Sequence, residues 1–264
     1  MRRTLLALAA FTAFPALAID TASWTQPVKP HAIYGNTYFV GTKGVSSILV
    51  TSPQGHVLID VPLKENVALV EENIRKLGFR VEDIKIILNS HAHFDHAGGI
   101  AALAKDSGAT VRATAAGARE LRLGGDDASD PQHGDIHLFP RVDAVGDIAD
   151  GTVVKVGPLA LTAHVTPGHT AGGTAWTWES CQGEACKSIA YVDSLTAYSA
   201  KSYRYSDHPD FVAAFRKTFD RVAALPCDIL VAPHPEQAEG KTCKSYAQAG
   251  RERLEQKLAE EKGR

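Results

Sequence analysis

Four potential metal ligands fall within six residues of this chain: His91, His93, Asp95 and His96, in the run His91-Ala92-His93-Phe94-Asp95-His96-Ala97-Gly98-Gly99. In extended backbone, residues two apart project to the same side, so His91 and His93 can grip one ion. Asp95 and His96 come at the turn into a following helix, where they can face a second ion beside the first. Imidazole nitrogen and carboxylate oxygen are ligands suited to zinc. A buried cluster of this kind without a metal would leave donors unpaired. Two further histidines sit at strand-to-loop junctions, His169 in Thr166-Pro167-Gly168-His169-Thr170 and His234 in Ala232-Pro233-His234-Pro235. Together the six residues make two three-residue sets with open positions for water, as catalytic zinc sites require.

The remaining histidines carry less. His31, His56, His133, His137 and His208 fall in turns or a long loop and read as structural or solvated, and His164 reads as a satisfied strand histidine. Rival chemistries lack their motifs. The chain has no Gly-x-Ser-x-Gly elbow, no Gly-x-x-x-x-Gly-Lys phosphate loop and no Gly-x-Gly-x-x-Gly with a suitable acid.

The elements that must position these residues can be read from periodicity. Residues 33–40, 46–51 and 56–61 are β-rich runs separated by Gly41, Gly44 and Gly55, an antiparallel meander. Residues 67–77 have helical spacing and stop at Gly78, while the short apolar run 84–88 is a buried strand leading into His91. Residues 98–105 and 115–121 read as helices flanking a strand at 110–113. The aperiodic stretch 124–139 is a long loop. Strands are then expected at 153–156, 159–164, 174–179, 188–192 and 228–231, with helices at 209–224 and 246–261. Strands followed by helices, twice over and without a linker, predict two packed sheets with helices outside, in one domain with internal pseudo-symmetry.

Arg2 and Arg3, the apolar stretch 4–14 and the small-x-small site Ala16-Leu17-Ala18 predict a signal peptide over 1–18, leaving a mature domain of 19–264. No later run approaches a membrane span. Losing the two arginines shifts the net charge from −2 to −4, a mild and unpatterned balance that points to neither nucleic acid nor a membrane surface. Four cysteines in an exported chain predict disulfides. Of three possible pairings, Cys181–Cys186 with Cys227–Cys243 is the most economical, and the absence of a CxxC pair argues against a cysteine zinc site.

The His-x-His-x-Asp-His run, the Thr-Pro-Gly-His-Thr turn and the late His234 resemble the metallo-β-lactamase superfamily. The surroundings resemble the third subclass of its class B enzymes, subclass B3. They include Gly35-Asn36-Thr37-Tyr38-Phe39-Val40-Gly41-Thr42, Asn89-Ser90, Thr174-Ala175-Trp176-Thr177-Trp178 and Ala224-Leu225-Pro226-Cys227-Asp228. The likeness runs from about Trp24 to Cys243. It implies an α/β fold, an αββα sandwich of two mixed β-sheets with helices on the outer faces, and two zinc ions in a groove at its edge. His91, His93 and His169 would bind the first zinc, and Asp95, His96 and His234 the second. Ser194 matches a serine of that subclass. Thr196 stands where relatives carry a second serine that helps hold the substrate carboxylate. The Cys227–Cys243 bridge also matches, whereas Cys181–Cys186 would be an addition seen in some members.

The implied function is zinc-dependent hydrolysis of penicillins, cephalosporins and carbapenems. Asp95 would orient the zinc-activated water, in a periplasmic, monomeric enzyme that confers antibiotic resistance and has no partner beyond its small-molecule substrate. The alternatives are a lactonase or glyoxalase-type thioesterase on the same fold, with Asp193 as a bridging ligand, and a non-catalytic zinc-binding protein.

Overall fold

The structure, a computed structural model, describes residues 21–263, and the predicted signal peptide 1–18 lies outside them. Strands β1 (His31–Tyr34), β2 (Thr37–Phe39), β3 (Ile48–Val50) and β4 (His56–Ile59) form the expected antiparallel meander. β5 (Ile84–Leu88), β6 (Thr110–Thr114) and β7 (Val145–Ile148) continue it as parallel neighbours, in one 7-stranded sheet of order β1 to β7. Helices α1 (Val67–Lys76), α2 (Phe94–Ala97), α3 (Ile100–Ser107) and α4 (Ala115–Leu123) lie between its later strands in the chain. A second, 5-stranded sheet has the order β12-β11-β10-β9-β8, from β8 (Val153–Val156), β9 (Leu159–Val165), β10 (Thr174–Gln182), β11 (Ala185–Tyr191) and β12 (Ile229–Val231). Helix α5 (Pro209–Ala223) lies between β11 and β12 in the chain, and α6 (Pro235–Ala238) and α7 (Cys243–Lys262) follow β12.

Period-two alternation builds the layers. Ile48, Val50, Val57 and Ile59 point between the sheets and meet Leu161, Trp176, Trp178, Ile189 and Tyr191 from the facing sheet. Their neighbours Leu49 and Leu58 point outward, into a cluster shared with Val70 and Ile74 of α1 and Ile100 and Leu103 of α3. On the far side Ala175 and Ala190 meet Phe215 and Phe219 of α5 and Leu254 and Leu258 of α7. The order of layers is therefore helix, sheet, sheet, helix, as expected. β5 gives Ile84 and Ile87 to the helix side and Ile86 and Leu88 to the space between the sheets, so residues 84–88 read as an apolar run broken only by the exposed Lys85.

Three of the differences from the sequence reading have a local cause. The expected strand 33–40 is two strands, because Gly35 adopts φ +52° and turns the chain between Tyr34 and Thr37. β7 escaped notice because Val145-Gly146-Asp147-Ile148 has too little apolar content to mark a strand. α7 begins three residues earlier than expected, at Cys243, behind a capping box in which Thr242 and Ser245 exchange side-chain to backbone bonds. Both predicted disulfides, Cys181–Cys186 and Cys227–Cys243, are formed. The first staples directly paired residues of β10 and β11, and the second ties the approach to β12 to the start of α7.

The topology gathers every chemically interesting loop at one edge. β9, β11 and β12 run in the same direction, so their C-terminal ends deliver His169, the segment 193–196 and His234 to one side. The first sheet is pinned to that edge where the Thr174 amide donates to Ser90 O (2.8 Å) and Trp176 Nε1 to Asn89 O (3.2 Å).

Candidate metal centre

His91 and His93 leave the end of β5, and Asp95 and His96 occupy the first turn of α2. The entry to this segment is held by Asp60, which follows β4 and is fully buried. Its Oδ1 accepts from the Ser90 amide (2.7 Å) and Asn89 Nδ2 (2.9 Å), and its Oδ2 from Ser90 Oγ (2.6 Å) and Tyr191 OH (2.6 Å). Asp60 has φ +59°, unique among the described non-glycine residues, and this conformation is disfavoured for a side chain with a Cβ. Four hydrogen bonds to one carboxylate over-determine it. The turn carrying His169 is set by close packing, since a Cβ on Gly168 would lie 2.0 Å from the Phe215 ring.

Each imidazole except His96 has one nitrogen engaged by the surrounding protein. His91 Nδ1 donates to Asp193 Oδ1 (2.7 Å), and His93 Nε2 donates to Asp130 Oδ2 (2.8 Å). His169 Nδ1 donates to Thr196 O (2.9 Å), with Thr196 Oγ1 at 3.0 Å, and His234 Nδ1 donates to Gly44 O (2.8 Å). With those nitrogens engaged, Nε2 of His91, Nδ1 of His93 and Nε2 of His169 and His234 are the atoms left to face an ion. His96 Nδ1 is buried beside Asp60 Oδ2 at 3.9 Å, without a hydrogen bond among the described residues.

The free atoms converge in two groups. Ligand atoms of His91, His93 and His169 lie within 4.8 Å of one another, as do those of His91, Asp95 and His96. His234 joins the second group, its Nε2 being 3.2 Å from His96 Nε2 and 3.4 Å from Asp95 Oδ2, while His96 Nε2 lies 3.2 Å from the same oxygen. All six predicted ligands are thus brought to one place and are buried. The other six histidines of the described chain stand apart. His31 stacks on Phe39, His56 meets Phe79, and His208 stacks on Tyr203. His137 meets Phe94, His133 bonds Asp126, and His164 bonds Thr177.

The electrostatics suit metal binding. Burial, reinforced by the neighbouring imidazoles, pushes His91 well below its ordinary value and His169 down to about 3, so both present neutral, ligand-competent rings. For His93 burial acts downward, but the hydrogen bond and charge of Asp130 leave it raised. Burial opposes ionisation of Asp95, yet the charge of His96 and the bonds from His234 and His96 hold its carboxyl well below the usual range. Three inward imidazole nitrogens cannot satisfy one another with hydrogen bonds, whereas a divalent cation satisfies all of them. The donor set of five imidazoles and one carboxylate, without a thiolate, fits zinc.

Four residues at this centre carried no signal in the sequence reading. Asp130 and Gln132 come from the long loop 124–139, and Gln132 Nε2 lies 3.4 Å from His169 Nε2. The Glu120 carboxyl is buried below that loop, its Oε1 accepting from the Gly172 amide (3.2 Å). The fourth, Asp60, had one available sign, an acid ending the apolar run Val57-Leu58-Ile59. Ser194 and Thr196 are both buried, and the hydroxyl of Thr196 lies 3.0 Å from His169 Nδ1.

A family model described as the metallo-beta-lactamase superfamily matches residues 40–182. Among solved structures, the metallo-β-lactamase SMB-1 is 48% identical, with a TM-score of 0.87, over 90% of this chain and 99% of that one. MEM-A1, a subclass B3 metallo-β-lactamase from a soil metagenome library, is 43% identical, with a TM-score of 0.88, over 91% of this chain and 99% of that one. A hydroxyacylglutathione hydrolase of Anaeromyxobacter dehalogenans is 39% identical over 93 residues, which are 35% of this chain. The match spans only 28% of that curated relative's length.

Proposed function

Because the chain belongs to the metallo-β-lactamase superfamily, we propose that it hydrolyses the amide bond of β-lactams with two zinc ions. The observation that carries the proposal is the likeness to metallo-β-lactamases along 90% of the chain, at 48% identity, combined with a complete set of six convergent ligands. His91, His93 and His169 would hold the first zinc, and Asp95, His96 and His234 the second. Zinc supplies Lewis acidity here, polarising the lactam carbonyl and lowering the pKa of water to about 7.

The protein's own groups do the rest. Asp95 is kept ionised; its Oδ2 faces the His96 and His234 nitrogens with which it would share the second zinc, and its Oδ1 would accept a hydrogen bond from the attacking water. Ser194 and Thr196 would recognise the carboxylate that lactam antibiotics carry. With the His169 Nδ1 proton given to Thr196 O, the Thr196 hydroxyl beside it cannot donate to that nitrogen, which leaves its proton free to donate to that carboxylate. No covalent protein intermediate is required. The domain 19–264 would act as a periplasmic monomer after removal of 1–18, conferring β-lactam resistance. No described helix is long and apolar enough to cross a membrane.

The partial likeness to hydroxyacylglutathione hydrolases raises a second reading, thioester or lactone hydrolysis. The geometry disfavours a bridging Asp193, whose Oδ1 is engaged by His91 Nδ1 at 2.7 Å. The test is zinc-loaded protein against a penicillin, a cephalosporin, a carbapenem, an acyl-homoserine lactone and a glutathione thioester, each with and without EDTA. Lactams should turn over fastest, and EDTA should abolish turnover until zinc is restored. A thioester or lactone outrunning every lactam would overturn the substrate assignment, and turnover that survives verified zinc removal would overturn the metal's role.

A further inference from the structure

His234 stands alone among the six ligands in where its support comes from. It precedes α6, a single turn of Pro235–Ala238, and the segment around it is held from across the fold. The Ser46 amide and Ser46 Oγ donate to Pro233 O and Ala232 O, both at 2.7 Å, and His234 Nδ1 donates to Gly44 O at 2.8 Å. The loop 41–47 is in turn held by the N-terminal segment. The Gly44 amide donates to Ser23 O (3.0 Å), the Lys43 amide to Gln26 O (3.0 Å), and Asn66 Nδ2 to Trp24 O (2.8 Å).

Trp24 closes this assembly. Its ring lies 5.3 Å from the His234 ring at 31° and 5.9 Å from Phe94, the residue between His93 and Asp95. With Val45 and Leu63 it forms a small apolar cluster separate from the main core. A Cβ on Gly44 would fall 2.2 Å from Ser23 Oγ and 2.8 Å from Trp24 Cδ1, so the turn Thr21–Trp24 lies directly on the backbone that holds His234.

We propose that Trp24 is a positioning residue for the second metal group: the N-terminal turn wedges the Gly44 carbonyl and the His234 ring into place, so that a second zinc is held tightly only when that turn is docked. The inference rests on the two-zinc reading above. It makes a short segment just downstream of the predicted leader part of the metal centre's support, although it contributes no ligand. The first-group ligands His91, His93 and His169 donate instead to Asp193, Asp130 and Thr196, none of them on the turn, so the loss is expected at the second zinc.

The experiment is a zinc titration of the metal-free protein against a competing chelator, resolving the first and second equivalents, with near-ultraviolet circular dichroism to confirm folding. Trp24→Ala should bind the second equivalent at least tenfold more weakly and the first unchanged, the size of loss expected when the support behind a ligand is removed. Trp24→Phe, which keeps a ring on His234, should recover most of it. Gly44→Ala pushes the turn away while keeping both the Trp24 and the His234 side chains, and should reproduce the selective loss even if Trp24→Ala does not fold. A second affinity within a factor of two of the parent in Gly44→Ala and in folded Trp24→Ala overturns the inference. Equal weakening of both equivalents overturns it too, since the role would then be general stability. A parent that binds a single zinc overturns the two-zinc reading and this inference with it, whereas loss of lactam turnover alone touches only the proposed substrate.

Discussion

Asp193 offers the sharpest test of how the first ligand group is held. Its carboxyl is fully buried and its Oδ1 accepts from His91 Nδ1 at 2.7 Å. Asp193→Ala would strand that N–H without an acceptor, and an unmet buried donor costs about 1–3 kcal/mol. If the stranded ring is free to reorient, that energy is withdrawn from zinc binding, so the first affinity should fall roughly 10- to 100-fold, as is typical for the partner behind a metal-ligating histidine. Asp193→Asn keeps an oxygen acceptor of the same reach, so its loss should be a fraction of that. The assay is chelator competition for zinc on both variants, with metal content by mass spectrometry and lactam turnover beside it. The graded order of parent, Asn and then Ala distinguishes an orienting residue from a ligand. An Asn variant that sheds zinc as completely as the Ala variant would refute the reasoning and restore Asp193 as a bridging ligand. An Ala variant with parental affinity would show that the His91 contact does not hold the ring.

Two further outcomes follow from the same centre. Asp95→Asn removes a charged ligand and leaves a single oxygen where two had served the second zinc and the attacking water, but leaves His91, His93 and His169 whole, so turnover should drop by at least a hundredfold while about one zinc remains bound. Turnover within a few-fold of the parent would exclude Asp95 from the site. Glu120 should make the metal-free protein sensitive to alkali. Burial first, and then the charge of Asp130, raise its carboxyl from 4.5 to about 8. A raised folded value means that the stabilising proton is fully held below pH 4.5 and is lost as pH rises through about 8. The contribution lost across that window is on the order of 5 kcal/mol. Glu120→Gln should therefore lose less stability than the parent in chemical denaturation between pH 5 and 8, and parallel profiles would contradict the assignment.

The amino-acid sequence by itself determined the ligand chemistry and most of the scaffold. His91, His93, Asp95 and His96 are close in the chain, so local backbone geometry alone presents them together, and the two-residue spacing of the first pair survives into the end of β5. The alternation that sends Ile48 and Val50 to one side and Leu49 to the other is likewise local, which is why two sheets with outer helices were legible. His169 and His234 could be nominated from their strand-end settings, but their meeting with the others is a product of strand direction. Only parallel running of β9, β11 and β12 puts them at the same edge as the end of β5.

The supports of the ligands were a tertiary decision throughout. Asp130 reaches His93 from a loop with no periodicity, Asp193 reaches His91 across 102 residues, and Gly44 reaches His234 across 190. Hydrogen bonds between residues so far apart leave no spacing in the chain, because an acceptor needs only to arrive within about 3 Å of its donor once the core has packed. The same holds for the strained backbone of Asp60, which reads in sequence as the polar end of a strand. Its role exists only because β4, β5 and β11 converge on it, bringing Ser90, Asn89 and Tyr191 within reach of one carboxylate.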